Sequence, residues 1–215
     1  CRVGYYFYLE LVNNINNFTY FTVRYWLRLF QMKPLIEKLP IGRDQSFVAR
    51  TYRTPHFEVP WHQHPELELI LFTEGEGNAF VGNHVGEFAT GDIYFLGSNL
   101  PHTFQKANPD LVTSAVVVQF RSNCWGDRFL EMPESREIKR LFDHTVVGLK
   151  LKGKTIDKIA PLMKELEFTG GFNRFILLWQ CLQYITSAGE YDELSTHKMG
   201  ALQIKEQESI DLLFQ

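Results

Sequence analysis

The chain has 215 residues, 45% of them hydrophobic and 22% charged, enough for one medium domain with a helical appendage and too balanced a mixture for wholesale disorder. A net charge of −3 argues against strong nonspecific nucleic-acid binding. The three cysteines, Cys1, Cys124 and Cys181, show no CxxC spacing, which speaks against a zinc finger or a secreted disulfide framework and for a reducing interior.

Residues 1–31 are dense in aromatics, from Tyr5 to Phe30, and carry Asn13, Asn14, Asn16 and Asn17 in their middle. Arg2, Glu10, Arg24 and Arg28 interrupt the segment, so it lacks the run of about 20 apolar residues that a membrane span requires. It also lacks the basic, apolar and small-residue order of a signal peptide. Met32-Lys33-Pro34 resembles a natural start. Residues 1–31 are therefore read as an extension that need not be native, the alternative being an extra N-terminal strand or helix.

From Phe47 to Phe120 the signals are those of strands. Phe47–Tyr52 is a short strand in which Arg50 and Tyr52 share parity, and Glu66–Thr73 is rich in Leu, Ile and Phe. Turns are expected at 74–77, at Gly82-Asn83-His84 and at Gly91-Asp92, with strands over 78–81, 87–89, 93–96 and the valine-rich 114–120. Both faces of the 66–73 segment are apolar beyond Glu68, which predicts cover on both sides. Many short strands with regular turns fit a closed sandwich or barrel.

After Phe120 the period becomes helical. A helix is expected from Glu134-Ser135 with Ile138, Leu141 and Phe142 on one face. Residues 150–154 read as a basic connector, and Thr155 as the N-cap of a helix that carries Ile159, Leu162, Met163 and Leu166. Pro161 sits inside that helix. After the break at Thr169-Gly170-Gly171, Phe172, Phe175, Ile176, Trp179, Leu182 and Ile185 mark a second long helix ending near Gly189, completing an antiparallel hairpin. Ile210, Leu213 and Phe214 resemble one face of an unfinished helix, so the chain reads as a fragment.

The chemistry concentrates in Trp61-His62-Gln63-His64-Pro65-Glu66-Leu67-Glu68 and in Pro101-His102-Thr103-Phe104. On one strand, His62, His64 and Glu68 would point the same way by period-two alternation, with His102 closing the set from another strand. Three imidazoles and a carboxylate can hold a divalent transition metal (zinc, iron, manganese or nickel) or form a polar floor for a small ligand. Glu68 needs a partner in either case, because a buried unpaired carboxylate is costly. Phe72 and Phe104 can stack on a sugar ring or pack as core. Glu66 is expected at a solvated rim, and His56 and His84 at the surface.

This array resembles the cupin superfamily. His62, His64, Glu68 and Gly75 match its first motif, with His56 in place of the leading glycine; Gly91 and His102 match its second, with Gly97, Asn99 and Lys106 where proline, glycine and asparagine are usual. With the helix hairpin that follows, residues 32 onward resemble the sensor half of an AraC/XylS-type transcription regulator. The resemblance implies a mainly β fold with a helical appendage, a cupin double-stranded β-helix (jelly-roll barrel) followed by an α-helical hairpin. It implies a ligand-sensing barrel over 32–133, a helical dimerisation region over 134–200, and over 201–215 the start of a truncated helix-turn-helix domain. The expected partners are a sugar-like effector held by His62, His64, Glu68, His102, Phe72 and Phe104, a second copy of the chain, and DNA through the missing domain only. The expected location is cytoplasmic, away from membranes. Such a sensor requires no cofactor and no catalytic residue. The alternative is a metal-dependent cupin enzyme, a dioxygenase or sugar isomerase, using His62, His64, Glu68 and His102 as ligands.

Overall fold

Alternation of apolar residues and the turns that interrupt it fold the chain into eleven strands and three α-helices among the described residues. These are 32–39, 45–54 and 60–196 of a computed structural model. The chain divides into two units, Cys1–Pro34 and Leu35–Gln215, and the elements below belong to the second. The expectations placed on residues 1–31, on His56 and on 201–215 lie outside the described residues.

Strands β1 (Leu35–Ile36), β3 (His62–Gln63), β8 (His102–Lys106), β5 (Glu76–Val81) and β6 (His84–Ala89) form one sheet in that order. Strands β11 (Tyr191–Glu193), β10 (Leu149–Leu151), β7 (Ile93–Leu96), β4 (Leu67–Glu74), β9 (Thr113–Phe120) and β2 (Phe47–Thr54) form the other. All neighbours are antiparallel except β1 and β3. Helices α1 (Arg136–His144), α2 (Lys154–Leu166) and α3 (Phe172–Ala188) cover the second sheet.

The second sheet is buried on both faces, as the sequence of β4 predicts. Its inner face carries Ile70, Phe72, Tyr94, Ala115 and Val117 against Ala79, Val81, Phe88 and Phe104 of the first sheet. Its outer face carries Leu67, Leu69, Leu71, Phe95, Val116, Val118 and Phe120 against Ile159, Met163, Leu178, Leu182 and Ile185 of the helices. Here is the mainly β barrel with its helical part that the motifs implied.

Three local expectations are corrected. The segment read as a basic connector begins as a strand: Leu149 and Leu151 are buried, and β10 pairs with both β7 and β11. Alternation with Lys150 between two leucines is a strand signal that the neighbouring lysines obscured. Helix α2 is capped at Gly153, not Thr155, because Glu190 reaches across to accept from the Thr155 backbone N–H (2.9 Å) and hydroxyl (2.8 Å). The long strand read from Glu66 is separate from His62 and His64. Strands β3 and β4 belong to opposite sheets, and residues 64–66 turn the corner between them.

Leu178 sits with no exposure between α3 and the second sheet. Leu178→Ala is expected to cost about 2–5 kcal/mol through lost contact and a residual cavity. Urea unfolding checks this: the midpoint should fall with an unchanged m-value, and a loss below about 1 kcal/mol would remove α3 from the core.

Candidate functional site

Two glycine turns close β4 and β7 at the ends away from Glu68. Gly75 (φ +95°) and Gly91 (φ +98°) occupy backbone that L side chains rarely adopt, and a Cβ at Gly75 would meet the Thr113 hydroxyl at 2.5 Å. Between β7 and β8, Asn99 takes a left-handed conformation (φ +56°) where the motif expects glycine. Asparagine tolerates that region better than other side chains. The Asn99 backbone N–H then donates to the His64 carbonyl at 2.7 Å, tying the β7–β8 loop to the first motif. Lys106, at the usual asparagine position, is buried and donates to the Pro109 and Leu111 carbonyls, bracing the β8–β9 loop.

These supports bring His62, His64, Glu68 and His102 together between the sheets, each at most 6% exposed. His62 lies directly opposite His102 in the β3–β8 pair, and their ring centroids are 4.2 Å apart. One nitrogen from each histidine falls within 4.8 Å of those of the other two. Every Nδ1 faces a backbone carbonyl: Pro60 for His62 (2.9 Å), Glu66 for His64 (3.1 Å) and Leu100 for His102 (2.8 Å). The ring proton of a neutral imidazole belongs there, which leaves Nε2 as the free lone pair.

Each Nε2, however, faces a carboxylate: Glu37 at 3.3 Å from His62, and Glu68 at 2.8 Å from His64 and 3.5 Å from His102. A neutral imidazole has one N–H, so rings with oxygen at both nitrogens leave the inner contacts short of a positive charge. In the metal-free site a proton supplies part of it. Burial opposes charge on His64, but its hydrogen bond to Glu68 and that carboxylate's charge outweigh burial and raise its pKa. Burial likewise opposes charge on Glu68, yet the His102 and His64 contacts hold its carboxyl well below the usual range. The Gln119 side-chain N–H donates to the same Glu68 oxygen as His64. For His62, burial and the neighbouring His102 hold the pKa down to about 3. The Nε2 of His102 is buried without a hydrogen-bond partner. Three lone pairs and a carboxylate fit a divalent transition cation, which His62, His64, Glu68 and His102 would hold.

Other expected site residues are placed differently. Phe72 is fully buried, stacked on Phe88 (4.0 Å) and edge-on to Tyr94 and Phe104. Phe104 is the aromatic that borders the histidines, 6.4 Å from the His102 ring. Glu66 is not a solvated rim residue: it is 3% exposed and accepts from Arg121 Nε at 3.0 Å. His84 is half-buried. The facing of Arg50 and Tyr52 is settled by register. They lie opposite the inward Val117 and Ala115, and Arg50 stacks over the Tyr52 ring at 4.5 Å. Gln119 and Glu37 carry no motif signal; Gln119 is recognisable only once it is seen opposite Glu68 across β9 and β4.

The sequence model of the AraC-like ligand binding domain matches residues 44–153, just over half of the chain. Curated protein sequences give no match. Among solved structures, a cupin 2 conserved barrel domain protein from Rhodopseudomonas palustris is 19% identical, covering 38% of this chain and 57% of that one, at a TM-score of 0.33. ToxT from Vibrio cholerae O395, bound to (E)-4-(8-methylnaphthalen-1-yl)but-3-enoic acid, is 12% identical, covering 66% of this chain and 56% of that one, at 0.44. DMSP lyase DddQ from Ruegeria pomeroyi DSS-3 is 27% identical over 40% of this chain and 44% of that one, at 0.33. The chain thus spans somewhat over half the length of the first two.

The buried pair gives the metal-free protein a defined pH profile. The raised His64 pKa contributes stability that is full below its unfolded value of 6.5 and is lost as pH rises through the folded value. The depressed Glu68 pKa contributes stability present above 4.5 and lost on acidification, and His62 adds to that loss between pH 6.5 and about 3. Denaturant unfolding after chelation should show stability falling on both sides of about pH 6.5. In Glu68→Gln the alkaline fall attributable to His64 should vanish; its persistence would sink the ion-pair account.

Proposed function

The chain belongs to the AraC-like ligand-binding domain family, and from that premise we propose that its barrel senses a small polar effector, sugar-like in size, for a DNA-binding transcription regulator. The observation that carries the proposal is the enclosed cluster of His62, His64, Glu68 and His102 between the sheets of a domain matched as ligand-binding. Imidazole and carboxylate groups bordered by apolar side chains can orient hydroxyls and carbonyls of a small molecule. In this reading DNA is contacted by a helix-turn-helix domain outside these residues, and the protein works in the cytoplasm. Among the described residues no helix is long and apolar enough to cross a membrane.

A route from the site to the chain after α3 supports a sensing role. Val81 pairs with His102 across β5 and β8. The turn after Val81 carries Asn83, whose side chain accepts from the Ser195 hydroxyl (2.6 Å) and the Thr196 backbone N–H (3.0 Å). An effector that prefers one arrangement of β5 and β8 thereby biases the segment leaving the helix hairpin. The hairpin also presents Phe168, Phe172 and Ile176, which are 85%, 76% and 44% exposed. This apolar edge is assigned to pairing with a second copy.

A second reading, a metal-dependent cupin enzyme, is favoured by the three gathered imidazole nitrogens. A bound divalent ion would act there as a Lewis acid toward a ligand oxygen. The chain's own residues hold the cluster, fix its tautomers and exclude water in either reading.

Two experiments test the proposal. A thermal-shift screen of sugars and related metabolites, with and without added zinc, iron, manganese or nickel, should find an effector. At a hundredfold excess over Kd it should add about 2.7 kcal/mol, and the gain should disappear in His62→Ala/His102→Ala. Turnover of a bound compound by metal-loaded protein would instead establish the enzyme reading. For pairing, Phe172→Glu/Ile176→Glu should convert a dimer to a monomer in sedimentation velocity while the unfolding midpoint measured at low concentration holds. A dimer that survives both charges moves the interface elsewhere.

A further inference from the structure

Among the described residues, the inward Arg50 guanidinium has no carboxylate partner. Its position on β2 places it opposite Val117 of β9, which lies opposite Ile70 of β4 and, through it, Tyr94 of β7, all inward residues of the second sheet. The next inward residue, Tyr52, underlies the guanidinium at 4.5 Å. Arg53, Arg121 and Arg140 each pair with a carboxylate; Arg50 makes no ion pair among the described residues, and its Nε is buried without an acceptor. Arg174, whose Nε is also unpaired, lies over Phe47 on the helix side of the sheet, where no polar cluster gathers. The carboxylates nearest the barrel interior are engaged elsewhere: Glu68 by His64 and Gln119, and Glu37 by His62.

A second unmet group lies on the same inward face of the sheet. Gln119 uses its N–H₂ end on Glu68, and that donation fixes the orientation of the amide, because a carboxylate accepts only from a donor. The Oε1 end of Gln119 is therefore a buried acceptor with no donor. Arg50 and Gln119 are diagonal neighbours across β2 and β9, a separation of about 7–8 Å on a strand pair. One small molecule can reach both.

We propose that the effector is a hydroxylated carboxylic acid, a sugar acid rather than a neutral sugar. Its carboxylate is held by the Arg50 guanidinium and one hydroxyl donates to Gln119 Oε1. This rests on the sensor reading above and narrows its ligand class. The planar guanidinium presents paired N–H donors that match a carboxylate, and such charge-assisted bonds are among the stronger ones in proteins. The Tyr52 hydroxyl, whose pKa burial raises against the neighbouring Arg50, is a further donor beside the carboxylate.

The test uses matched pairs that differ only in charge: galacturonate with galactose and glucuronate with glucose, extended by gluconate with sorbitol and by lactate with lactamide. Binding to the 215-residue chain is measured by calorimetry in the wild type, Arg50→Gln and Arg50→Lys. The expected result is that acids bind about ten- to a hundredfold more tightly than their neutral partners. That preference disappears in Arg50→Gln and partly returns in Arg50→Lys. Because Arg50 makes no ion pair among the described residues and loses only its contact with Tyr52, Arg50→Gln should also unfold near the wild-type temperature without ligand. Neutral members binding as well as acids overturns the charge assignment and leaves the sensor reading standing. An acid preference that survives in Arg50→Gln, or a large fall in the ligand-free unfolding temperature, overturns the role of Arg50. Failure of every compound in both sets overturns the inference and the sugar-like sensor reading together.

Discussion

The buried carboxylate of Glu68 is the constraint around which the barrel is organised. An ionised carboxylate at 4% exposure is stable only with donors or cations on its oxygens. Its partners come from three places: His64 from the corner before β4, Gln119 from β9 beside it, and His102 from the opposite sheet. Removing one partner would leave a charge stranded between the sheets. The cluster is thus a register pin for the barrel as well as the candidate site, and it ties the two sheets beside the aromatic packing of Phe72, Phe88, Phe104 and Tyr94.

The middle sheet transmits this order outward. Strand β4 places Glu68, Ile70 and Phe72 on its inner face and Leu67, Leu69 and Leu71 on its outer face. A one-residue slip would exchange every one of them. The helices read the outer face and the site reads the inner face of the same strands, so the position of α2 and α3 and the geometry around Glu68 are fixed together. Glu167 adds a local lock: its carboxylate accepts from the Thr51 backbone N–H (2.9 Å) and hydroxyl, covering the free edge of β2 beside Arg50.

Much of this was legible in the residues. The turns at Gly75 and Gly91, strand β7, the double burial of β4 and the helix ending at Gly189 follow from local rules, because each depends on a few adjacent side chains. The gathering of His62, His64, Glu68 and His102 was also expected, though for an incomplete reason. Period-two alternation applies within one strand, and Pro65 and Glu66 instead carry the chain from one sheet to the other. Motif spacing therefore encoded a corner, which alternation does not describe. The burial of Glu66, the cap supplied by Glu190 and the role of Gln119 depend on partners 55, 35 and 51 positions away. No window of sequence holds both halves of such pairs. The facing of Arg50 and Tyr52 was open for the same reason: parity states that they share a face, and only pairing with β9 states which one.

The cluster and its surroundings are satisfied to different degrees, and the proposed ligand contacts rest on that difference. Around Glu68 the donors converge and the carboxylate is held in its charged form. One row away, an inward guanidinium Nε lacks an acceptor and an inward amide oxygen lacks a donor. Each such group weakens the folded state relative to a well-packed apolar residue of similar size. A barrel selected for stability alone would fill this row as it fills the next, with aromatic and β-branched side chains. Under the proposed reading a ligand supplies the missing partners, and its binding would restore stability that the free protein lacks. In the proposed reading, sensing and folding are coupled through the same few atoms, because an effector would supply partners to buried groups that are unmatched in the free protein.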